Sequence, residues 1–201
     1  MPTTFPRHSS AFWAGPHPPT WIAEYVASAA RPYREDILDA LAMLAPFASV
    51  YELGCHAGPM LTAVRTRWPD VTLAGCDVSA EAVAQCSARL NAGVIVGDLR
   101  AALPTLATNG VDVILTCYTL AYVSASDLPT VLREVRRVAR VGCVFAEPMD
   151  LGDDVVWDEQ WDCGTRHKYL EALAGLSKSR HLRTLRRPWH EGLNAVLAAR
   201  W

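Results

Sequence analysis

The stretch Ser49-Val50-Tyr51-Glu52-Leu53-Gly54-Cys55-His56-Ala57-Gly58-Pro59-Met60-Leu61 constrains the fold of this chain more than any other. A short apolar run ends in an acid, and Gly54 and Gly58 follow. Leu61, Val64 and Trp68 then recur at helical spacing. This pattern predicts a buried strand, a tight turn and the start of a helix. Glycines let the backbone turn sharply and let a ligand approach the main chain. The helix start offers N–H groups with no partner inside the helix. A carboxylate just before the turn, on Glu52, suits a partner carrying hydrogen-bond donors or positive charge.

The remaining segments repeat the same alternation. Apolar strands are predicted at 49–53, 71–76, 94–96, 111–117 and 143–147, with amphipathic helices at 59–67, 79–90 and 128–140 between them. Gly142 is read as the stop of the last of these helices. Parallel strands joined by helical crossovers follow from that order. The expected fold is α/β: a doubly wound, mainly parallel seven-stranded sheet with helices on both faces. The segments 181–187 and 193–201 flank Pro188-Trp189-His190-Glu191-Gly192 and read as a hairpin that closes the sheet edge with an antiparallel last strand. Two helices, 20–30 and 32–44, precede the sheet, so residues 1–46 are expected to form an arm and helical cap, and 47–201 the ligand-binding body of a single globular domain. Residues 150–164, acidic and carrying Trp157 and Trp161, read as a loop. A helix is expected at 166–176.

Composition narrows the class. In 201 residues, 51% are hydrophobic and 20% charged, which supports a sizeable core. No apolar run is long enough to span a bilayer, and the N-terminus lacks the apolar region of a secretory signal. A cytoplasmic protein without membrane attachment is expected. A net charge of −2 gives no general attraction to nucleic acid. The basic residues Lys178, Arg180, Arg183, Arg186 and Arg187 crowd the tail, where a solvated face is the favoured reading. None of the six cysteines forms a Cys-x-x-Cys pair and no histidine cluster accompanies them at zinc-ligand spacing, so no metal is expected.

Strand, acid, Gly-x-x-x-Gly and helix resemble motif I of the class I S-adenosylmethionine-dependent methyltransferases. The dehydrogenase pattern Gly-x-Gly-x-x-Gly is absent. Asp77 ends the second strand, and Gly97-Asp98-Leu99 follows the third, where this family places an acid beside adenine. The resemblance runs from Tyr51 to about Glu147. It implies S-adenosylmethionine as cofactor, with Glu52, Gly54 and Gly58 at its methionyl end and Cys55 and His56 of the same turn among the cofactor-binding residues. It also implies Asp77 on the ribose hydroxyls, Val78 packing on adenine, Asp98 and Leu99 at the adenine amine and ring, and Cys117 and Tyr118 beside the sulfonium. The family usually has a glycine where this chain has His56. Histidine is among the side chains enriched at positive φ, so His56 can hold the turn. Taken singly, Asp77 and Asp98 also fit strand-end or helix-capping roles.

The resemblance further implies direct displacement of the methyl group by a nucleophile, for which holding the acceptor in line does much of the work. A base is needed only where the acceptor arrives protonated. His17, Tyr122, Glu147 and His167 are the candidates, each with a competing reading as a packed or capping residue. Thr116-Cys117-Tyr118-Thr119 stands where amino-methylating DNA enzymes carry Asn/Asp-Pro-Pro-aromatic, and no Pro-Cys pair of the cytosine type is present. The expected partner is therefore a small-molecule acceptor and not DNA. Trp13, Trp21, Tyr25, Trp157 and Trp161 are available to enclose an apolar or aromatic acceptor, or to anchor loops. An RNA or protein methyltransferase, a nucleotide-binding oxidoreductase and a non-catalytic binding module remain as alternatives.

Overall fold

The computed structural model describes residues 10–18, 20–149, 167–174, 180–189 and 192–201. The expected loop at 150–164, with Trp157 and Trp161, lies outside the described residues, as do Lys178, His190, Glu191 and Cys163.

The chain opens with helices α1 (Ser10–Ala14), α2 (Trp21–Ala27) and α3 (Tyr33–Ala42), with a 3-10 turn at Ser28–Ala30 between the last two. Thr20 precedes α2 without a side-chain capping bond. The turn is held by Arg34, whose Nε donates to the Ser28 carbonyl and whose Nη2 donates to Ser28 Oγ, both at 2.8 Å. Then come β1 (Ser49–Leu53), α4 (Pro59–Arg67), β2 (Thr72–Asp77), α5 (Ala80–Leu90), β3 (Gly93–Val96) and α6 (Leu99–Ala102). β4 (Val111–Cys117), α7 (Leu128–Val138), β5 (Ala139–Pro148), α8 (Tyr169–Ala174), β6 (Arg180–Trp189) and β7 (Gly192–Arg200) complete the order.

The sheet runs β3-β2-β1-β4-β5-β7-β6. The pairs among β1 to β5 are parallel, and β7 is antiparallel to both of its neighbours. From β1 the chain winds outward through β2 and β3, then returns to place β4 on the other side of β1. That reversal opens a crevice at the carboxyl ends of β1, β2 and β4, where α/β folds bind ligands.

Alternation along the strands builds a core on each face of the sheet. On one face Leu53, Ile114, Phe145 and Leu197 pack with Val131, Leu132 and Val135 of α7 and with Tyr169 of α8. On the other, Val50, Val113, Leu115, Val144 and Val196 pack with Ile37 and Leu41 of α3 and Met60 and Val64 of α4. At the far end of the central strands, Asp112 accepts from the backbone N–H of Ala48 at 2.6 Å and from Arg140 Nε at 2.8 Å.

One element departs from the sequence expectation. Gly142 does not stop a helix: α7 ends at Val138 and β5 already begins at Ala139. Gly142 lies inside the strand opposite Arg200 of β7, where a Cβ would overlap the Ala199 carbonyl. Close strand packing, and not helix termination, requires glycine there. Among the described residues no helix is long and apolar enough to cross a membrane.

Candidate functional site

The turn after β1 is wound tightly. Gly54, His56 and Gly58 all have positive φ, at 69°, 47° and 75°. A Cβ at Gly54 would overlap the Thr119 side chain, and one at Gly58 would lie 2.5 Å from Cys86 Sγ. The turn is tied to the end of β2. The N–H groups of Gly54 and Cys55 donate to the Cys76 carbonyl, and that of His56 donates to Asp77 Oδ2 at 2.8 Å. Asp77 Oδ1 accepts from the Ser79 N–H at 2.9 Å. Burial nevertheless raises the Asp77 carboxyl above the ordinary carboxylate range, opposed by these backbone donors. Each of its oxygens retains acceptor capacity.

Glu52 is 2% exposed, and its Oε2 has no hydrogen-bond partner. Burial pushes its carboxyl well above the usual range, and the nearby Arg34 guanidinium opposes that shift. Arg34 is itself buried, on the apolar stripe that continues through Ile37, Leu38 and Leu41. A charged residue on a core-facing stripe is a signal legible in the sequence for a polar group on the inner face of α3. Arg89 of α5, an exposed residue, donates to the Ala57 carbonyl at 2.8 Å and braces the glycine turn from outside.

Asp98 serves as the N-cap of α6, accepting from the Arg100 N–H at 2.9 Å, and it is paired with the Arg100 guanidinium at 2.8 Å. Those bonds hold its carboxyl down to about 2. Its Oδ2 also accepts from Ser10 Oγ of α1 at 2.8 Å. Leu99 beside it is buried and Val78 is half-buried. At the end of β4, burial pushes the Cys117 thiol up to about 12. Tyr118 follows with φ of 60°.

The base candidates separate. Glu147 is fully buried at the end of β5, where it accepts from the N–H groups of Thr119 at 2.9 Å and Ala121 at 3.2 Å. Burial pushes it up to about 7. It shapes the turn after β4. His167 Nε2 lies 3.0 Å from the Val123 carbonyl. His17 and Tyr122 instead join an aromatic group over the crevice. His17 stacks on Trp21 with centroids 3.5 Å apart, and Trp21 meets His56 edge-on at 4.3 Å. Tyr25 also meets His56, and Trp13 meets Tyr122. Segments far apart in sequence thus converge on the turn after β1.

The acceptor set fits a ligand with hydroxyls and a cationic amine: two carboxylates with spare acceptor capacity, one of them with an unpartnered oxygen, flank a glycine turn open to backbone approach. Among the described residues no group of three His, Cys, Asp or Glu side chains is arranged to hold a metal ion.

Known proteins resemble this chain in a stretch of sequence and in fold. Residues 50–142 match the family model described as a methyltransferase domain. No curated protein matches the sequence. Among solved structures, geranyl diphosphate C-methyltransferase from Streptomyces coelicolor A3(2), in complex with Mg2+, geranyl diphosphate and S-adenosyl-L-homocysteine, superposes with a TM-score of 0.67 at 16% identity, over 97% of this chain and 88% of that one. Magnesium protoporphyrin IX methyltransferase from Synechocystis PCC 6803 with bound SAM gives 0.62 at 12%, over 94% and 88%. The plantazolicin methyltransferase BpumL, in complex with a pentazolic desmethylPZN analogue and SAH, gives 0.65 at 14%, over 96% and 95%. Residues 50–142 thus match a methyltransferase domain, and the chain has the fold of these S-adenosylmethionine-dependent methyltransferases.

Proposed function

We propose that this protein transfers a methyl group from S-adenosylmethionine to a small-molecule acceptor by direct in-line displacement. The observation that carries the reading is the unpartnered Oε2 of Glu52 beside a turn with three positive-φ residues, tied to Asp77 through the His56 N–H. In this reading Glu52, Gly54, Cys55, His56 and Gly58 hold the methionyl end, Glu52 through its unpartnered oxygen. Asp77 takes the ribose hydroxyls with its remaining acceptor capacity, and Val78 packs on adenine. Leu99 meets the adenine ring. Asp98 reaches its amine by exchanging the Ser10 hydroxyl. Cys117 and Tyr118 border the reacting centre. When bound, the cosubstrate supplies a methyl group already activated by its sulfonium charge. The chain's own task is then to orient the acceptor and exclude water.

A small acceptor is supported by the closeness of the roof. Residues 10–18 and 20–25 lie over the crevice, with Ser10 on Asp98, Trp13 on Tyr122 and Trp21 on His56. Those segments are the arm and cap of residues 1–46, set on the body 47–201. They leave flat apolar ring faces, which suit an aromatic or apolar acceptor.

The test is calorimetric titration with S-adenosylhomocysteine, beside Asp77→Ala, with NADH in parallel. Micromolar binding of S-adenosylhomocysteine that the substitution abolishes supports the reading. Heat with NADH alone replaces it with a nucleotide-binding oxidoreductase. Cofactor binding without turnover on any small acceptor points to a binding module.

A further inference from the structure

The aromatic group over the crevice holds an unusual set of polar atoms. Trp13 Nε1, His17 Nε2 and both ring nitrogens of His56 are buried without a hydrogen-bond partner. Buried polar groups are normally satisfied, and leaving one unpaired costs about 1–3 kcal/mol. Four such atoms in one group of touching rings mark a place where a ligand supplies the partners. His56 is 6% exposed and both Trp21 and Tyr25 lie against it.

The chemistry of these atoms specifies the ligand. An indole N–H only donates, so Trp13 requires an acceptor. A neutral imidazole has one bare nitrogen, which requires a donor. An aromatic hydroxyl provides both, and its ring matches the flat faces of Trp13 and Trp21. Among the described residues, the ring contacts themselves are made by Trp, His and Tyr side chains, with Arg31 near Tyr25 and Arg34 near Glu52.

Resting on the methyltransferase reading above, we propose that the acceptor is a planar aromatic ring bearing a hydroxyl, and that the His17–His56 pair receives the hydroxyl proton during methyl transfer. The O–H bond breaks as its proton passes to a bare imidazole nitrogen. The oxygen forms its bond to the methyl group, whose electrons shared with sulfur stay on sulfur. The imidazolium releases the proton to water as the products leave. One positive charge is present before and after, moving from sulfur to imidazole within a group of rings whose faces favour a cation.

Burial and His17 pull His56 down to about 4, which keeps it unprotonated and able to accept. Ionisable groups near this turn include His17 from the arm, Tyr25 from α2, Arg31 after the 3-10 turn, Tyr33 and Arg34 from α3, Glu52 from β1, Asp77 from β2, Cys86 and Arg89 from α5 and Cys117 from β4. Asp77 bonds the His56 backbone and not its ring.

The experiment uses protein saturated with S-adenosylhomocysteine and three probes: para-cresol, its methyl ether and benzoate. Calorimetry should give para-cresol at least tenfold tighter binding than the ether or benzoate. His17→Asn and His56→Asn should each weaken para-cresol about tenfold and leave the ether unchanged. Asparagine tolerates the positive φ at position 56. Binding of para-cresol should also shift the imidazole 15N resonances of His56. With S-adenosylmethionine, His56→Asn should lower para-cresol methylation at neutral pH about 100-fold and make the rate proportional to hydroxide. Equal affinity for phenol and ether, preference for benzoate, binding without methylation, or variants that behave as wild type would each overturn the proposal. Absence of S-adenosylhomocysteine binding in the wild type would instead remove the parent reading, so the two failures are distinct.

Discussion

The backbone N–H of His56 donates to Asp77 Oδ2 at 2.8 Å, joining the turn after β1 to the tip of β2. With the Ser79 N–H on its other oxygen, Asp77 satisfies backbone donors on both sides of the crevice. Asp77→Ala should therefore destabilise the protein with no ligand present, by about 2–4 kcal/mol, since two buried N–H groups lose their acceptor. Urea unfolding of the ligand-free proteins measures this. An unchanged midpoint would mean that the turn does not depend on the carboxylate.

Gly58→Ala should be among the more damaging small substitutions in this chain. The new Cβ would lie 2.5 Å from Cys86 Sγ and 2.9 Å from Leu90 Cδ1, at a φ of 75° that costs a non-glycine residue about 1–2 kcal/mol by itself. Gly97→Ala is the control, because nothing lies within 4 Å of its added methyl. Thermal melts should separate the two by several degrees, and equal melting points would contradict the packing described around α5.

Glu147 sets a pH dependence. Its folded carboxyl titrates near 7 against an ordinary 4.5. The folded state thus holds more protons than the unfolded one between those values. Its stabilising contribution is full below pH about 4.5 and is lost as pH rises towards 7, amounting to about 3 kcal/mol at 1.36 kcal/mol per unit. Glu147→Gln should flatten the stability profile across that window. Parallel wild-type and variant profiles would refute the assignment.

Glu52 should couple cofactor binding to proton release. Its carboxyl stays protonated well above the usual range in the ligand-free protein, and an arriving ammonium group favours the ionised form. Affinity for S-adenosylhomocysteine should then rise with pH up to the ligand-free titration point of Glu52. Calorimetry in buffers of different ionisation enthalpy should show a released proton that disappears in Glu52→Gln. Identical heats in all buffers would argue against contact between Glu52 and the amine.

The parallel half of the fold was legible because its punctuation is local. Gly54 and Gly58, Trp68-Pro69-Asp70 and Asn109-Gly110 bracket β1, α4 and β4 at the residues where the structure begins and ends them. The start of β5 was not legible, because what draws Ala139 to Val141 into the sheet is distant. Arg140 is held by Asp112, and Trp201 Nε1 donates to the Ala139 carbonyl at 2.7 Å. The same holds at the site. Glu52, Asp77 and Asp98 could be placed from strand ends, whereas the meeting of Trp13, His17 and Trp21 with His56 and Tyr122 depends on a fold of the arm that no local pattern encodes. Asp98 shows the ambiguity directly, since its capping bonds to Arg100 occupy the carboxylate that the motif position assigns to adenine.

The position of β7 has a consequence for synthesis. It follows β6 in the chain yet lies between β6 and β5 in the sheet. When β6 leaves the ribosome it therefore has no strand to join, and it must wait for the segment made after it. The β1–β4 crevice can assemble earlier, because all of its strands are made before β6. A nascent chain can thus hold a formed cofactor crevice while one side of the sheet is still open, and that transient border, not the crevice, is where a chaperone has reason to bind.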